Sequence, residues 1–200
     1  MTRIIGGTAG GRRIRTPTGE QTRPTSDRVR EALFSAVDSA VGSLEGLRFL
    51  DLYAGSGAVG LEARSRGAGV VTLVERDRRT ARLIHDNVGA LGLSQVEVVV
   101  GGVSATLDVA PRAPYDIVFC DPPYALPEPD VADDLHALAG NDWLDAGTLV
   151  VVERSSRSPR PEWPMGYDVA PPRTYGETVL WFAVWYGRSA LPPDAPPTGA

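Results

Sequence analysis

Cysteine is nearly absent from this sequence: Cys120 stands alone among 200 residues. That excludes an intramolecular disulfide framework and any zinc site built from several thiolates. Long apolar runs are missing too. No stretch approaches the ~20 residues of a membrane helix, and MTRIIGGTAGGRRIRTP at the start holds no apolar signal core. A cytoplasmic protein without membrane attachment is expected. Histidine occurs only at His85 and His136, both in helix-like segments where surface roles are expected. With no other convincing acid or base for hydride chemistry, an NAD-dependent oxidoreductase is disfavoured. There is no internal repeat, and no metal site is expected. What is present is a hydrophobic fraction of 42% in 200 residues, enough for one α/β folding unit with a small appendage.

Charge is distributed unevenly. Residues 1–30 hold Arg3, Arg12, Arg13, Arg15, Arg23, Arg28 and Arg30 against Glu20 and Asp27, a balance of +5. The whole chain carries −5, so the remainder carries −10. The head is basic and the body acidic. Guanidinium groups suit phosphate oxygens, which makes those seven arginines candidate RNA contacts; a merely solvated basic arm is the alternative.

Two alternating stretches, Arg3–Ile5 and Arg12–Arg15, flank the cluster GGTAGG and predict a small hairpin. Thr25 or Ser26 then caps a helix to about Ala40. From Arg48 strands and helices alternate: FLDLY, a helix over 58–66, VVTLVE, a helix over 77–91, VEVVV, YDIVFC, a helix over 130–139, TLVVVE and a strand over 178–186. This order predicts a mostly parallel sheet covered on both faces. YDVAPPRTYG and ETVLWFAVWY are joined without a helix, so an antiparallel pair is expected to end it. The expected organisation is a basic hairpin and helix over 1–40, a main unit over 41–188 and a disordered, proline-rich tail over 189–200.

DLYAGSGAVGLEA, residues 51–63, sits where the first core strand passes into a helix. Gly55, Gly57 and Gly60 fit G-x-G-x-x-G, and Glu75 ends the next strand twenty residues after Gly55. Glycines permit close backbone approach, and an acid at that strand end can accept ribose hydroxyls, so a nucleoside-bearing cofactor is implied, with a structural tight turn as the alternative. A dinucleotide would bring a pyrophosphate, beside which Asp51 is unhelpful. S-adenosylmethionine brings an ammonium that Asp51 could bind, directly or through water.

CDPPY, residues 120–124, closes an apolar strand with a stiff turn, because proline fixes φ and donates nothing to a ladder. Ligands of an open α/β sheet bind beyond the carboxyl ends of its strands, so this turn is expected to share a crevice with Asp51 and Glu75. An exocyclic nucleobase amine is a poor nucleophile, its lone pair delocalised into the ring. Acceptance of its two N–H groups by the Asp121 carboxylate and the Pro122 carbonyl favours a pyramidal nitrogen. Tyr124 can stack on the base, while Pro122 and Pro123 hold the acceptors rigid. A strand end capped by a Pro-Pro turn, with Tyr124 as packing, is the structural alternative.

CDPPY resembles the [DN]-PP-[YFW] signature of methyltransferases acting on adenine N6, guanine N2 or cytosine N4. RIIGGTAGGRRIRTP, TRPTSDRVREALF, DLYAGSGAVGLEARSRGA and YGET together are similar to the RsmD family of small-subunit ribosomal RNA guanine-N2 methyltransferases, over residues 3–185. The resemblance implies a seven-stranded Rossmann-like fold, S-adenosylmethionine as donor, and a guanine of 16S rRNA in the small subunit as acceptor; the substrate is free RNA, the 30S particle or an assembly intermediate, and a monomer is the default expectation. It implies that Asp51, Tyr53, Ala54, Gly55, Ser56 and Gly57 form the methionine-binding loop and that Glu75, beside Arg76, holds the ribose. It further implies that Asp121, Pro122, Pro123 and Tyr124 orient the amine and that Thr22–Ser26 lie near the entrance. The family usually places an Asp after the third core strand to contact the adenine amine. Here that place holds Gly102 and Val103, which offer main chain and apolar surface only. A DNA adenine-N6 methyltransferase and a non-catalytic RNA-binding assembly factor remain as alternatives.

Overall fold

The computed structural model describes residues 2–17 and 26–187. Arg23, the segment Thr22–Thr25 and the expected tail lie outside the described residues. The elements in chain order are β1 (Thr2–Arg3), β2 (Arg13–Ile14), α1 (Asp27–Val41), β3 (Arg48–Leu52), α2 (Ala58–Ser65), β4 (Val70–Glu75), α3 (Arg78–Leu91) and β5 (Val96–Val100). They continue with α4 (Val103–Leu107), β6 (Tyr115–Cys120), α5 (Glu128–Gly140), β7 (Leu144–Ser155), β8 (Tyr167–Val169), β9 (Arg173–Tyr175) and β10 (Thr178–Trp185). Among the described residues no helix is long and apolar enough to cross a membrane.

The main sheet has the order β5-β4-β3-β6-β7-β10-β8, with β9 also on β10. Pairings from β5 through β7 are parallel, and β10 runs antiparallel to β7. The expected sheet, mostly parallel with an antiparallel end, is borne out. Its strand segments number eight but occupy seven positions, because β8 pairs with Ala183–Trp185 and β9 with Thr178–Leu180 of the same neighbour. Pro171 and Pro172 lie between the two segments and cannot donate to a ladder, which breaks one edge strand into two.

Strand alternation divides the core into two layers. Phe49, Leu73, Ile117, Phe119 and Val151 face α1, α2 and α3, meeting Leu33, Phe34, Val59, Ala63 and Ile84. The residues between them, Leu50, Leu52, Val74, Val118, Cys120 and Val152, face α4 and α5, meeting Val103, Leu107, Val131 and Leu135. α1 starts where expected, since Ser26 accepts a hydrogen bond from the Val29 N–H as its cap. Its apolar stripe is thus part of the main core. The sequence did not indicate α4: VSATL is too short and too rich in β-branched residues for a periodic signal. Tertiary contacts hold it, because Val103 and Leu107 are buried and the Trp143 indole N–H donates to the Leu107 carbonyl at 3.1 Å.

The hairpin β1–β2 docks on the end of α2 through buried polar groups. Glu62, wholly buried, accepts the N–H of Ile5 at 2.6 Å and of Gly6 at 2.8 Å, and the Arg66 Nε–H at 2.7 Å. The Thr8 N–H donates to the Ser65 carbonyl at 2.8 Å, so close an approach that a Cβ on Gly7, whose φ is +74°, would fall 1.8 Å from that oxygen.

Candidate active site

The strand order reverses beside β3, with β4 on one side and β6 on the other, which is where an open sheet leaves a crevice. The register pairs Leu52 with Val74 and with Cys120, so the carboxyl ends of three strands open at one level. A cavity of about 520 Å³ lies there. Its walls include Asp51 of β3 and Tyr53–Ser56 after it, Glu75 at the end of β4 with Arg76 and Asp77, Val103 of α4, and Asp121–Tyr124 after β6. Of the expected cofactor and catalytic residues, only Gly57 and Gly102 are not part of its lining.

Gly57 instead serves packing. With φ at 78° it caps α2, and a Cβ there would press on Ile84 and Leu73 at 3.1 Å. Gly60 lets the helix lie against β4, since a Cβ would sit 2.8 Å from Leu73 Cδ2. It also lets its N–H reach Asp51 Oδ2 at 2.8 Å. Gly102 caps α4 and its carbonyl accepts from Thr106, while Gly101 lines the cavity in its place.

Asp51 is only 2% exposed. Burial, outweighing the Gly60 N–H and reinforced by the neighbouring charges of Asp121 and Glu75, pushes its carboxyl up to about 8. Glu75 organises the loop around it: one carboxylate oxygen accepts the Gly55 N–H at 2.9 Å and the other the Asp77 N–H at 2.8 Å. Tyr53 takes a left-handed φ of 63°, a costly conformation for a bulky residue. Its hydroxyl donates to Asp134 of α5, and the Ala54 N–H donates to the Val74 carbonyl at 3.0 Å. Burial, followed by the Asp130 and Asp133 charges, raises the Asp134 carboxyl to about 6 against the lowering effect of the Tyr53 hydroxyl.

The turn after β6 has an internal brace that the sequence reading missed. Arg154 of β7 is 1% exposed. Its Nη1 donates to the carbonyls of Pro122 at 3.3 Å and Pro123 at 3.4 Å, and its Nη2 to that of Leu126 at 3.4 Å. Its Nε donates to Glu128 at 3.1 Å. The Pro122 carbonyl, expected to accept from a substrate amine, is therefore already aimed by a cation and keeps a second lone pair. The only trace in sequence is a charged pair, Glu153-Arg154, ending an apolar run. Tyr124 projects 51% exposed at the cavity mouth. Thr16 and Pro17, at the hairpin exit, also reach the cavity and carried no signal.

The basic head is dispersed. Arg30, expected on the RNA-facing surface, is instead fully buried, donating to the Arg3 carbonyl and to Asp27, each at 2.7 Å. The helical face that packs the core carries it inward. Arg12 donates to the Leu91 carbonyl at the end of α3 at 2.6 Å. Arg3 lies 3.4 Å from Asp27 and Arg15 3.9 Å from Asp86. Arg3, Arg13, Arg15 and Arg28 are solvent-exposed.

Residues 2–184 match the family model described as conserved hypothetical protein 95. Ribosomal RNA small subunit methyltransferase D of Escherichia coli K12 is 34% identical over 177 residues, 88% of this chain and 86% of that one. A protein of Bacillus subtilis described as putative rRNA methyltransferase YlbH is 30% identical over 94% of this chain and 96% of its own. Among solved structures, a putative methyltransferase of Escherichia coli, yhhF, superimposes with a TM-score of 0.80 at 32% identity, covering 93% of this chain and 98% of that one.

Proposed function

This chain belongs to the conserved hypothetical protein 95 family, and from that premise we propose that it is an S-adenosylmethionine-dependent methyltransferase of small-subunit ribosomal RNA, acting on the exocyclic N2 of a guanine in 16S RNA. The observation that carries the reading is the meeting of Asp51, Glu75 and Asp121–Tyr124 on one cavity. Residues 41–188 form the transferase unit and residues 1–40 an RNA-holding extension; the enzyme works as a cytoplasmic monomer. The acceptor is the ribosomal RNA, free or within a 30S particle or assembly intermediate.

The cavity suits the donor chemically. Asp51 provides a buried anion for an ammonium, Glu75 a carboxylate for ribose hydroxyls, and Val103 and Phe119 apolar walls for an adenine. When bound, S-adenosylmethionine supplies an electrophilic methyl group on a sulfonium. The residues of the turn do the rest by position. Asp121 and the Pro122 carbonyl accept the two amine hydrogens and turn the nitrogen lone pair toward the donor, and Tyr124 stacks on a base drawn out of its neighbours.

The test is transfer of labelled methyl groups to small-subunit particles lacking their own modification, followed by digestion to nucleosides. N2-methylguanosine is the expected product. N6-methyladenosine would retain the mechanism and overturn the acceptor; no labelled nucleoside from particles, assembly intermediates or free RNA would overturn transfer itself.

Donor binding is also expected to depend on pH. Below about 8 the empty site holds a proton on Asp51, and a cation beside that carboxylate expels it. Affinity therefore rises from pH 6 to pH 8, by close to ~10-fold per unit at the acid end, with about one proton released per site. Above ~8 the gain ends, because Asp51 of the empty site is already ionised, and loss of charge from the ligand's own α-amino group then works against binding. Calorimetry at pH 6, 7 and 8 in two buffers of different ionisation enthalpy measures both. Flat affinity without proton release would remove Asp51 from the role.

A further inference from the structure

We propose that α3, a helix of the main unit, carries a phosphate track for the RNA strand: Arg78, Arg79 and Arg82 continue the surface begun by Arg13 and Arg15 and bring it to the rim of the donor cavity. The inference rests on the rRNA methyltransferase reading and locates where that substrate's backbone lies.

Four observations support the track. First, Arg78, Arg79 and Arg82 are all exposed, on the side of α3 opposite its buried residues Ala81, Ile84, Asn87 and Leu91. Their guanidinium groups form no ion pair among the described residues, although the charge of Arg79 and its backbone N–H act on the adjoining Asp77 carboxylate. The neighbouring acids are already engaged. Asp77 accepts the Thr80 N–H at 2.8 Å and its hydroxyl at 2.9 Å, and Asp86 faces Arg15.

Second, the helix is charged against its own dipole. Cations are unfavourable at a helix N-terminus, yet Arg78 and Arg79 are its first two residues, and the only acid at that end is the capping Asp77. α1 and α5 instead begin with Asp27, and with Glu128 and Asp130. The C-terminus of α3 lacks a basic residue of its own, and Arg12 of the head supplies one by donating to the last carbonyls. One capping acid, Asp77, against Arg78, Arg79 and Arg82 leaves a net positive charge at this end of the helix, a local imbalance that a bound anion would relieve.

Third, the track joins two concave regions. An open groove of about 670 Å³ between β2 and α3 is lined by Arg13, Arg15, His85 and Asn87. The donor cavity is lined by Arg76, Asp77 and Thr80 at the other end of the helix, and by Thr16 immediately after Arg15. Asn87 ties the two strips together: its side chain accepts the Arg15 N–H at 2.9 Å and donates to the carbonyls of Arg15 at 3.0 Å and Ser56 at 3.1 Å.

Fourth, residues 78–91 contain no Phe, Tyr or Trp, so this surface offers forked cations and no stacking platform. Such a surface fits phosphates of a nucleic-acid strand, read without regard to sequence, and leaves base recognition to the cavity.

The test uses the full chain with Arg78→Gln, Arg79→Gln and Arg82→Gln combined, a fluorescent single-stranded 20-nucleotide RNA as binding probe, and the unmodified particles as substrate. Neutralising three phosphate contacts is expected to reduce the slope of log K against log salt by ~2, at ~0.7 per contact for single strands. RNA affinity at low salt falls at least ~10-fold and KM for particles rises by a like factor. Donor affinity is unchanged, and Tm is unchanged or raised because the helix dipole is relieved. An unchanged salt slope and KM, with wild-type protein still methylating particles, overturns the track and leaves the function standing. A reduced slope with a wild-type protein that methylates nothing upholds the track and overturns the function. Tighter binding of duplex DNA than of RNA by the wild type overturns the RNA assignment.

Discussion

Asp121→Ala is expected to lower methyl transfer by at least ~100-fold while donor affinity stays within about twofold, a loss typical of removing one preorganised polar group at a reacting centre. The reason is positional. Asp121 follows the last residue of β6, its N–H donates to the Leu52 carbonyl at 3.4 Å, and its side chain opens on the cavity shared with Asp51 and Glu75. An amine nitrogen there needs two acceptors to become pyramidal, and alanine removes one. Asp121→Asn separates two roles for the carboxylate. An asparagine keeps a carbonyl oxygen but cannot take up a proton. Retention of a sizeable fraction of kcat with a flat pH profile identifies an acceptor, whereas equal loss in both variants identifies a base. Alanine turnover above a tenth of wild type would remove Asp121 from the centre. Donor titration of each variant controls for collapse of the site.

Arg154→Ala is expected to cost ~3–5 kcal/mol of stability, because it leaves Glu128 without its cation in a largely buried position. For a chain of this size that corresponds to a fall in Tm of roughly 10 °C. Turnover should fall further than stability explains, since the Pro122 and Pro123 carbonyls lose the donor that aims them. Arg154→Met combined with Glu128→Leu distinguishes the two effects. Replacing both charges with apolar groups of similar volume is expected to recover most of the stability. If kcat recovers with it, Arg154 only holds the fold; if kcat stays low while donor affinity is normal, Arg154 positions the turn. Arg154→Lys should fall between, because an ammonium cannot reach several carbonyls and a carboxylate in one plane.

These two residues differ in how legible they were. Asp121 was readable because its surroundings are local: an apolar strand, two prolines and an aromatic in five consecutive residues. Arg154 was not, because its partners lie 26 to 32 residues away on a turn that only β6–β7 pairing brings overhead. Arg30 failed in the opposite direction. Its charge predicted exposure, yet its place on α1 sends it into the interior, where Asp27 and backbone carbonyls satisfy part of its guanidinium. α4 had too few residues for periodicity to register. β8 and β9 emerged as one interrupted strand because Ala170-Pro-Pro sets no register by itself and β10 supplies it.

By itself the sequence determined the family, the mostly parallel sheet, the glycine turn after β3 and the acids that end β3 and β4. It did so because strand and helix periods, turn residues and short motifs express energies between near neighbours, and the match over residues 2–184 bears the RsmD resemblance out. Tertiary structure alone decided which charges are buried, which arginines remain available, and what braces the turn after β6. Those outcomes depend on distant segments sharing one low-dielectric space, where a charge is tolerated only beside a partner that chain order does not reveal.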